Sequence, residues 1–595
     1  MSDLNEILKA PTWQMDDAYG DIGAKRYERS FQTLAEHIQA LNTLKEVDRM
    51  NVLEAMRRYD ESDTILASLL CFVLCLGAKD SSDDRVALEK ARLAQCNLEL
   101  FNASKTLFAF IKTLAQDDSL WQQKPLCDWR FELMHRAKAW KALLNEQDLS
   151  WYNEFEKNVF LPLDDVHKQL QKGVHFYAEN AQGEKVLIRD AKLVTVIKGD
   201  PDQVLRDNTW QGMLRNYGER AELYAALLNQ LSGFRITSFS RVGKTVLDVS
   251  LHQNRMSHQA LMAMRETLLS HVQELRQAVT MRAPYLGIER LKPTDLMAPA
   301  PVKGDQAQAQ LITHAQAMQM IKDGLSKASP EMADFVQMML DKQWLDADVS
   351  EKKVGGAFCS RFNELKMPRI FSSYVGTIPS MLTQSHELGH AFQYWQMRDL
   401  PAIQTQFPMT LTEMASTFNE ALMRRYLLDQ ADSQERFDIL WQELVAGANM
   451  LLHCMSRMEF ELLFLKEREK GYVNAKRCVE LMREAWKTWY GDVTDGASDY
   501  LWAFKLHYYK TGQMIYNYPY TVGYLLSQGL LYEMDTRGDR FIDFYRSMLR
   551  DTGRMTLDDL VSTHFGSDAT KREFWERCLS GPLSSIRAFQ RDYAQ

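Results

Sequence analysis

Five consecutive residues carry the clearest chemistry in the chain: His386-Glu387-Leu388-Gly389-His390. Two imidazoles at i and i+4 lie one above the other on a single helix face, so both can hold one divalent cation. Zinc, one ion per chain, is the metal that this donor set predicts, and Glu387 is placed to take a proton from a water as general base. The chemistry is metal-assisted hydrolysis. A catalytic zinc takes three protein donors and leaves one position open, so a third ligand is required. No cysteine stands near His386 to close a four-ligand structural site.

The segment Met409 to Glu420 offers that ligand. With Thr412 as N-cap candidate, it places Glu413, Ser416, Thr417 and Glu420 along one helical face, and Met414, Phe418, Leu422 and Met423 along another. A buried carboxylate needs a partner, and a metal site supplies one. Glu413 is therefore the expected third ligand. Glu420, two turns on, is expected to fix a ligand histidine through its other ring nitrogen.

These residues need helices to position them. Pro379 suits a first turn, and Met381, Leu382, Ser385, Leu388, Phe392 and Trp395 form an apolar-to-small stripe at helical spacing. Gly389 costs about 1 kcal/mol against alanine there, which predicts close approach by another backbone. Upstream, 354–380 combines a Gly-Gly pair with β-branched and aromatic residues, and reads as a short sheet leading into the motif helix. Gly355-Gly356 is a candidate for offering a strand edge to a peptide backbone.

Elsewhere the pattern is mainly helical. Segments 26–60, 62–77, 84–115 and 129–159 each read as a helix or helical pair, and helices return at 306–345. Strand or hairpin is expected near 185–198 and a second β-leaning piece at 234–250; Pro293, Pro299 and Pro301 mark a linker-like stretch.

The 595 residues are 46% hydrophobic and 25% charged with a net charge of −8, which describes a globular chain without the basic patch of a nucleic-acid binder. Eight scattered cysteines lack C-x-x-C spacing and suit a reducing compartment; Cys71 and Cys75 read as small apolar residues of a buried helix. The start, MSDLNEILKAPTW, has no basic and apolar leader pattern, and the longest apolar run, Ile65 to Ala78, is too short for a bilayer. No membrane partner and a cytoplasmic location are the expectations.

At the motif the sequence resembles the oligopeptidase F branch of the thimet-oligopeptidase-like metallopeptidases, family M3. The resemblance extends to Gly355-Gly-Ala-Phe-Cys359, Met381 to Phe392, Glu413 to Glu420 and Tyr516-Asn-Tyr-Pro-Tyr-Thr-Val-Gly-Tyr524, with weaker echoes at Pro11-Thr-Trp13 and Thr294 to Pro299. It implies a large helical zinc-peptidase fold, two halves flanking a deep channel, and a small sheet near the active site. It further implies a helical N-terminal domain, 1–200, and a catalytic domain, 201–595, in a monomer or small homo-oligomer. By motif position His386, His390 and Glu413 become the zinc ligands and Glu387 the catalyst, acting on short peptides cleaved internally. Gln393-Tyr394-Trp395 and Ser385 depart from the family's pattern without touching a ligand.

Hydrolysis also needs donors for the tetrahedral oxyanion. His507 and the tyrosines 516, 518, 520 and 524 are candidates, since the family uses a His and tyrosines from this block. His507 and Tyr520 come first, then Tyr524, with Tyr516 on the substrate side. Helical spacing would put Tyr516, Tyr520 and Tyr524 on one face, whereas Pro519 argues for a kink or a loop. Competing readings are a zinc carboxypeptidase or dicarboxypeptidase of similar fold, and a catalytically silent peptide-binding protein.

Overall fold

A computed structural model describes residues 9–197, 199–301 and 311–593; the first residues of the 306–345 expectation and the very start of the chain lie outside them. The fold is mainly α, with five short strands among the described residues. Strands β1 (His175–Glu179) and β2 (Lys185–Arg189) form an antiparallel hairpin. Strands β3 (Leu345–Asp346), β4 (Phe358–Phe362) and β5 (Met367–Phe371) form a small sheet in the order β3-β5-β4. There β3 runs parallel to β5, and β4 pairs antiparallel with Phe358 opposite Phe371.

Several boundaries differ from the sequence expectations. The 26–60 segment is two helices, Lys25–Asn42 and the start of Val52–Lys79, the second running straight through residue 61. The 185–198 strand stops at Arg189, and a helix covers Asp190–Ile197. The β-leaning piece at 234–250 is helical throughout most of its length, in Ala221–Ser240 and Val246–Gln253. Buried Arg235, Ser238 and Phe239 continue the helical spacing set by Leu231 before them, which outweighs the few tenths of a kcal/mol that Ile236 and Thr237 cost a helix. The Thr245–Asp248 capping box then starts the next helix. The proline-rich 291–301 stretch is no solvated linker: Thr294, Asp295, Leu296 and Ala298 are buried, and Asp295 pairs with equally buried Arg206 at 2.9 Å.

By its contacts the chain divides into two units, residues 1–137, 308–426 and 533–565 in one, 138–307, 427–532 and 566–595 in the other. The first has its core around Trp13, Tyr19, Tyr27, Phe72 and Trp129. Helix Val52–Lys79 is the one described helix long and apolar enough to span a membrane, yet it packs as a core helix. Its Phe72 ring lies 5.2 Å from Tyr19 and 5.6 Å from Tyr27, and Cys75 is buried. The Pro11-Thr-Trp13 echo has a structural role: Trp13 N–H donates to Asp346 at the end of β3, and Ala347 N–H to the Pro11 carbonyl. The second unit centres on clusters such as Tyr285, Phe437, Trp441 and Phe589.

Candidate metal centre and active site

The motif helix spans Ile378–Met397, opened by a Thr377–Ser380 capping box with Pro379 in its first turn. It is buried on nearly all sides, polar Gln384, Glu387 and Gln393 included, so the apolar stripe read from the sequence is only part of its packed surface. Tyr394 Oη donates to the Phe362 carbonyl of β4 at 3.3 Å, and Gln384 bonds Ser372 just beyond β5. Thus the small sheet lies directly against the helix that carries the motif.

Helix Met409–Gln430 supplies the other side. It begins before Thr412, whose hydroxyl bonds the Pro408 carbonyl from inside the first turn, so Thr412 is not the N-cap. A Cβ on Gly389 would stand 2.6 Å from the Ala415 carbonyl oxygen and 2.7 Å from Ser416 Cα. The glycine therefore lets the two backbones approach, as its place in the motif predicts. Asn419 Nδ2 reinforces the contact, donating to the Ser385 carbonyl at 3.1 Å.

This approach brings His386, His390 and Glu413 together, one donor atom from each lying within 4.8 Å of the others. Glu413 Oε2 is 3.3 Å from His386 Nε2 and 3.7 Å from His390 Nε2. Tetrahedral zinc with bonds of about 2.0–2.1 Å sets its ligand atoms about 3.4 Å apart. The donor set and its spacing fit that ion. His386 Nδ1–H donates to Glu420 Oε1 at 2.7 Å, which leaves Nε2 with its lone pair for a cation. Arg424 in turn holds the other Glu420 oxygen, and Ser416 Oγ donates to Glu413 Oε2 at 3.0 Å.

The electrostatics agree. Burial alone would lower the His386 imidazole, but its bonds to Glu413 and Glu420 outweigh that and raise it to about 10. A metal ligand must release that proton, so the same two carboxylates that favour it also favour a dication. Burial, with the charge of His386 adding, pushes His390 down to about 4. Glu420 is held at about 2 against its burial, Arg424 being the largest lowering influence. Glu387 is 5% exposed with Oε2 unpaired, and burial pushes its carboxyl up to about 7.

His507, Tyr516 and Tyr520 form a second cluster, within the other unit. The His507 ring stacks on Tyr520 with centroids 5.7 Å apart and meets Tyr516 edge-on at 5.1 Å. Helix Tyr518–Arg537 starts one residue before Pro519, so that proline sits in a first turn, neither kinking a helix nor forming a loop. Tyr520 and Tyr524 are one helical turn apart, while Tyr516 precedes the helix and reaches Tyr520 by its ring, at 5.6 Å. Tyr518 is buried and bonds Ser250. His507 Nδ1 lies 3.0 Å from Asn517 Oδ1. As an Nδ1–H donor it keeps Nε2 as acceptor; with the Asn517 amide turned over, Nε2–H becomes the donor. Gly355 and Gly356 are exposed in the turn before β4, one of the two edge strands of its sheet; Gly356 has φ +102°.

Sequence reasoning missed four supporting residues. Arg424 follows Glu420 at i+4, a spacing that signals an ion pair and was open to detection. Ser416 stood on the right face without a role. Asn419 and Asn517 gave no local signal.

The sequence pattern of peptidase family M3 matches residues 196–580. The chain belongs to peptidase family M3. Oligopeptidase PepF of Bacillus subtilis (strain 168) is 22% identical over 574 residues, covering 92% of this chain and 82% of the relative. The chromosomal oligoendopeptidase F of Lactococcus lactis subsp. cremoris is 22% identical over 46% of this chain and 45% of its own. The fold is shared with a solved peptidase chain of Chlamydophila abortus, with TM-score 0.83, 17% identity and 98% of each chain covered. The oligoendopeptidase-F of Enterococcus faecium matches with TM-score 0.67 and 17% identity, over 96% of this chain and 99% of that one. Family membership makes the protein a peptidase, and its own His386–His390–Glu413 cluster is able to bind a metal.

Proposed function

We propose that this M3 peptidase is a zinc-dependent endopeptidase for short, unstructured peptides. The observation that carries this reading is that His386, His390 and Glu413 each bring one donor atom within 4.8 Å of the others, with Glu413 Oε2 at 3.3 and 3.7 Å from the two ring nitrogens and Glu387 Oε2 buried without a hydrogen-bond partner. Bound there, zinc would polarise the scissile carbonyl and lower the pKa of a water towards about 7. Glu387 would accept a proton from the attacking water and pass it to the leaving amine. Its shift to about 7 suits an exchange in both directions near neutral pH. Glu420 keeps His386 in the ligating tautomer, and Arg424 keeps Glu420 charged.

His507 and Tyr520, then Tyr524, are proposed as donors to the oxyanion, with Tyr516, Gly355 and Gly356 binding the peptide. A donor role for neutral His507 requires the Asn517 amide to present Nδ2 to Nδ1. Residues 201–595 carry all of these groups and are the proposed catalytic portion. The relatives' names speak of oligopeptides, which supports a limit on substrate size. The cytoplasm is the proposed compartment, on the cysteine spacing.

Glu387→Gln tests the core of the proposal. The amide keeps the shape of the site but cannot take a proton, and general-base catalysis contributes about 10²–10⁴-fold. Zinc content by elemental analysis should stay at wild-type level while turnover falls by that factor. A variant that cleaves peptides at near wild-type rates would remove Glu387 from its role.

A further inference from the structure

Lys353 lies two residues before the Gly355–Gly356 turn, and its side chain is 2% exposed. A lysine ammonium is strongly hydrated, so taking one out of water requires acceptors for its N–H groups. Four oxygens surround this one: Asp346 Oδ1 at 2.5 Å, the Ser372 carbonyl at 2.7 Å, and the carbonyl and Oδ1 of Asp348 at 2.9 and 3.1 Å. Nζ also lies 4.5 Å from the centre of the Phe371 ring. Asp346 closes β3 and Phe371 closes β5, so one side chain joins the ends of two strands. Ser372 Oγ in turn accepts from Gln384, two residues before His386 on the motif helix.

The glycine turn itself is open. A Cβ on Gly355 or Gly356 would meet no atom within 4 Å. Neither glycine's N–H or C=O makes a hydrogen bond among the described residues. The turn is held from its two ends. Upstream, Lys353 grips the strand ends, while Ser81 N–H donates to the Lys352 carbonyl at 2.9 Å and Val354 N–H to the Ala78 carbonyl at 3.0 Å. Downstream, Phe358 pairs with Phe371 and stacks on its ring with centroids 5.0 Å apart. Lys353 and Phe358 thus rest on the same buried ring, one on each side of an open backbone.

We infer that Lys353 is a positioning residue for the peptide substrate: its ammonium fixes the open backbone of Gly355 and Gly356 relative to the motif helix, so that a substrate backbone meets a preformed edge. This rests on the reading of Gly355 and Gly356 as peptide-binding. Lys353 itself touches no substrate, since its N–H groups are occupied by the four oxygens. An edge that is already in place spares binding the ordering of a loose turn.

The test uses the full-length, zinc-loaded protein and one peptide whose backbone nitrogens are methylated one at a time. Each methyl removes one N–H and keeps every side chain. In the wild type, methylation of a nitrogen that faces the turn should raise KM by about 10-fold with kcat nearly kept. The paired substitution Asp346→Asn with Lys353→Met removes the buried cation together with its carboxylate, and an amide at 346 can still accept the Trp13 N–H. In that variant KM for the unmethylated peptide should rise by about 10-fold, the penalty at that nitrogen should vanish, and zinc content should hold. A lysine that only stabilises the fold would lower the melting temperature and leave the penalty in place. If the paired variant does not fold, Lys353→Arg is read instead. It keeps the charge, but its planar fork cannot meet four oxygens around one nitrogen, so the penalty should shrink. A penalty that survives undiminished in the folded variant overturns the role of Lys353 and leaves the peptide-binding turn standing. No penalty at any nitrogen in the wild type overturns the binding turn and this inference with it. Absence of all cleavage would overturn the proposed peptidase chemistry and the role of Lys353 together.

Discussion

His386 and His507 are the same side chain in opposite surroundings. His386 sits between two carboxylates, Glu420 at 2.7 Å from Nδ1 and Glu413 at 3.3 Å from Nε2, and is raised to about 10. His507 faces a neutral amide, Asn517, at 3.0 Å, and burial plus neighbouring cations lower it to about 3. Both are half-buried, so burial alone does not separate them; the charge around each ring does. The first region stabilises a cation on the imidazole nitrogen, proton or metal. The second keeps an imidazole neutral over the whole working range, where it can form hydrogen bonds without becoming a charge. One region is able to hold a metal; the other holds an uncharged imidazole among aromatic rings.

The strongest way to break this contrast is at Glu413. Glu413→Ala removes one of three donors and half of the acidic field around His386. Zinc content should fall, and turnover should drop further than the roughly 10–100-fold that loss of an outer-shell partner costs. Unchanged metal content would detach the acidic field from metal binding and move the third ligand elsewhere.

Tyr520→Phe probes the other region. Loss of one oxyanion donor costs about 10²–10³-fold, and it acts in the transition state, so kcat should fall with KM nearly constant. The phenyl ring keeps its stacking on His507, so the melting temperature should hold. Normal kcat with lowered stability would make this cluster a packing feature, and the contrast would then be one of core chemistry alone.

Glu420→Gln sharpens the first region at smaller cost. An amide that donates to Nδ1 forces the proton onto His386 Nε2, the nitrogen that must be bare to hold a metal. Zinc affinity should weaken by about 10–100-fold, read by competition with a chelator. Wild-type affinity would show that the 2.7 Å bond does not set the tautomer.

Much of the first region was legible in the sequence, for a geometric reason. The i, i+4 histidines and the i, i+3, i+7 face of Glu413, Ser416 and Glu420 follow from helix periodicity alone, and Gly389 announced the close backbone approach. Orientation by Arg424 was equally local. The second region was less legible, because its parts are gathered by tertiary packing. Tyr516 joins Tyr520 from outside the helix, and Asn517 reaches back ten residues to His507. Secondary structure failed in a consistent way: 190–197 and 234–250 hold β-branched residues within helical spacing, and spacing prevailed. The prolines at 293–301 looked like a linker because the partner that buries Asp295, Arg206, lies 89 residues away.

The smallest expected effect concerns stability against pH at His507. Its unfolded value is near 6.5 and its folded value about 3, so in that interval the unfolded chain binds a proton that the folded chain refuses. Protons therefore favour unfolding: the contribution of His507 is present in full above pH 6.5 and is lost as pH falls towards 3. The slope from one such group is at most about 1.4 kcal/mol per pH unit. Buried His167 and His314, each lowered to about 4, add slopes of the same sign. His507→Gln keeps a polar side chain opposite Asn517 and removes one titrating group from this set. Urea unfolding of wild type and variant from pH 7 to pH 4.5 should show the variant losing stability less steeply, by about 1 kcal/mol per unit. Glutamine cannot titrate, so a change in slope isolates the imidazole from general packing loss, which would shift both ends of the pH range alike. Parallel slopes would mean that His507 accepts a proton in the folded chain as readily as in the unfolded one. Its neutrality, and with it the contrast to His386, would then be lost.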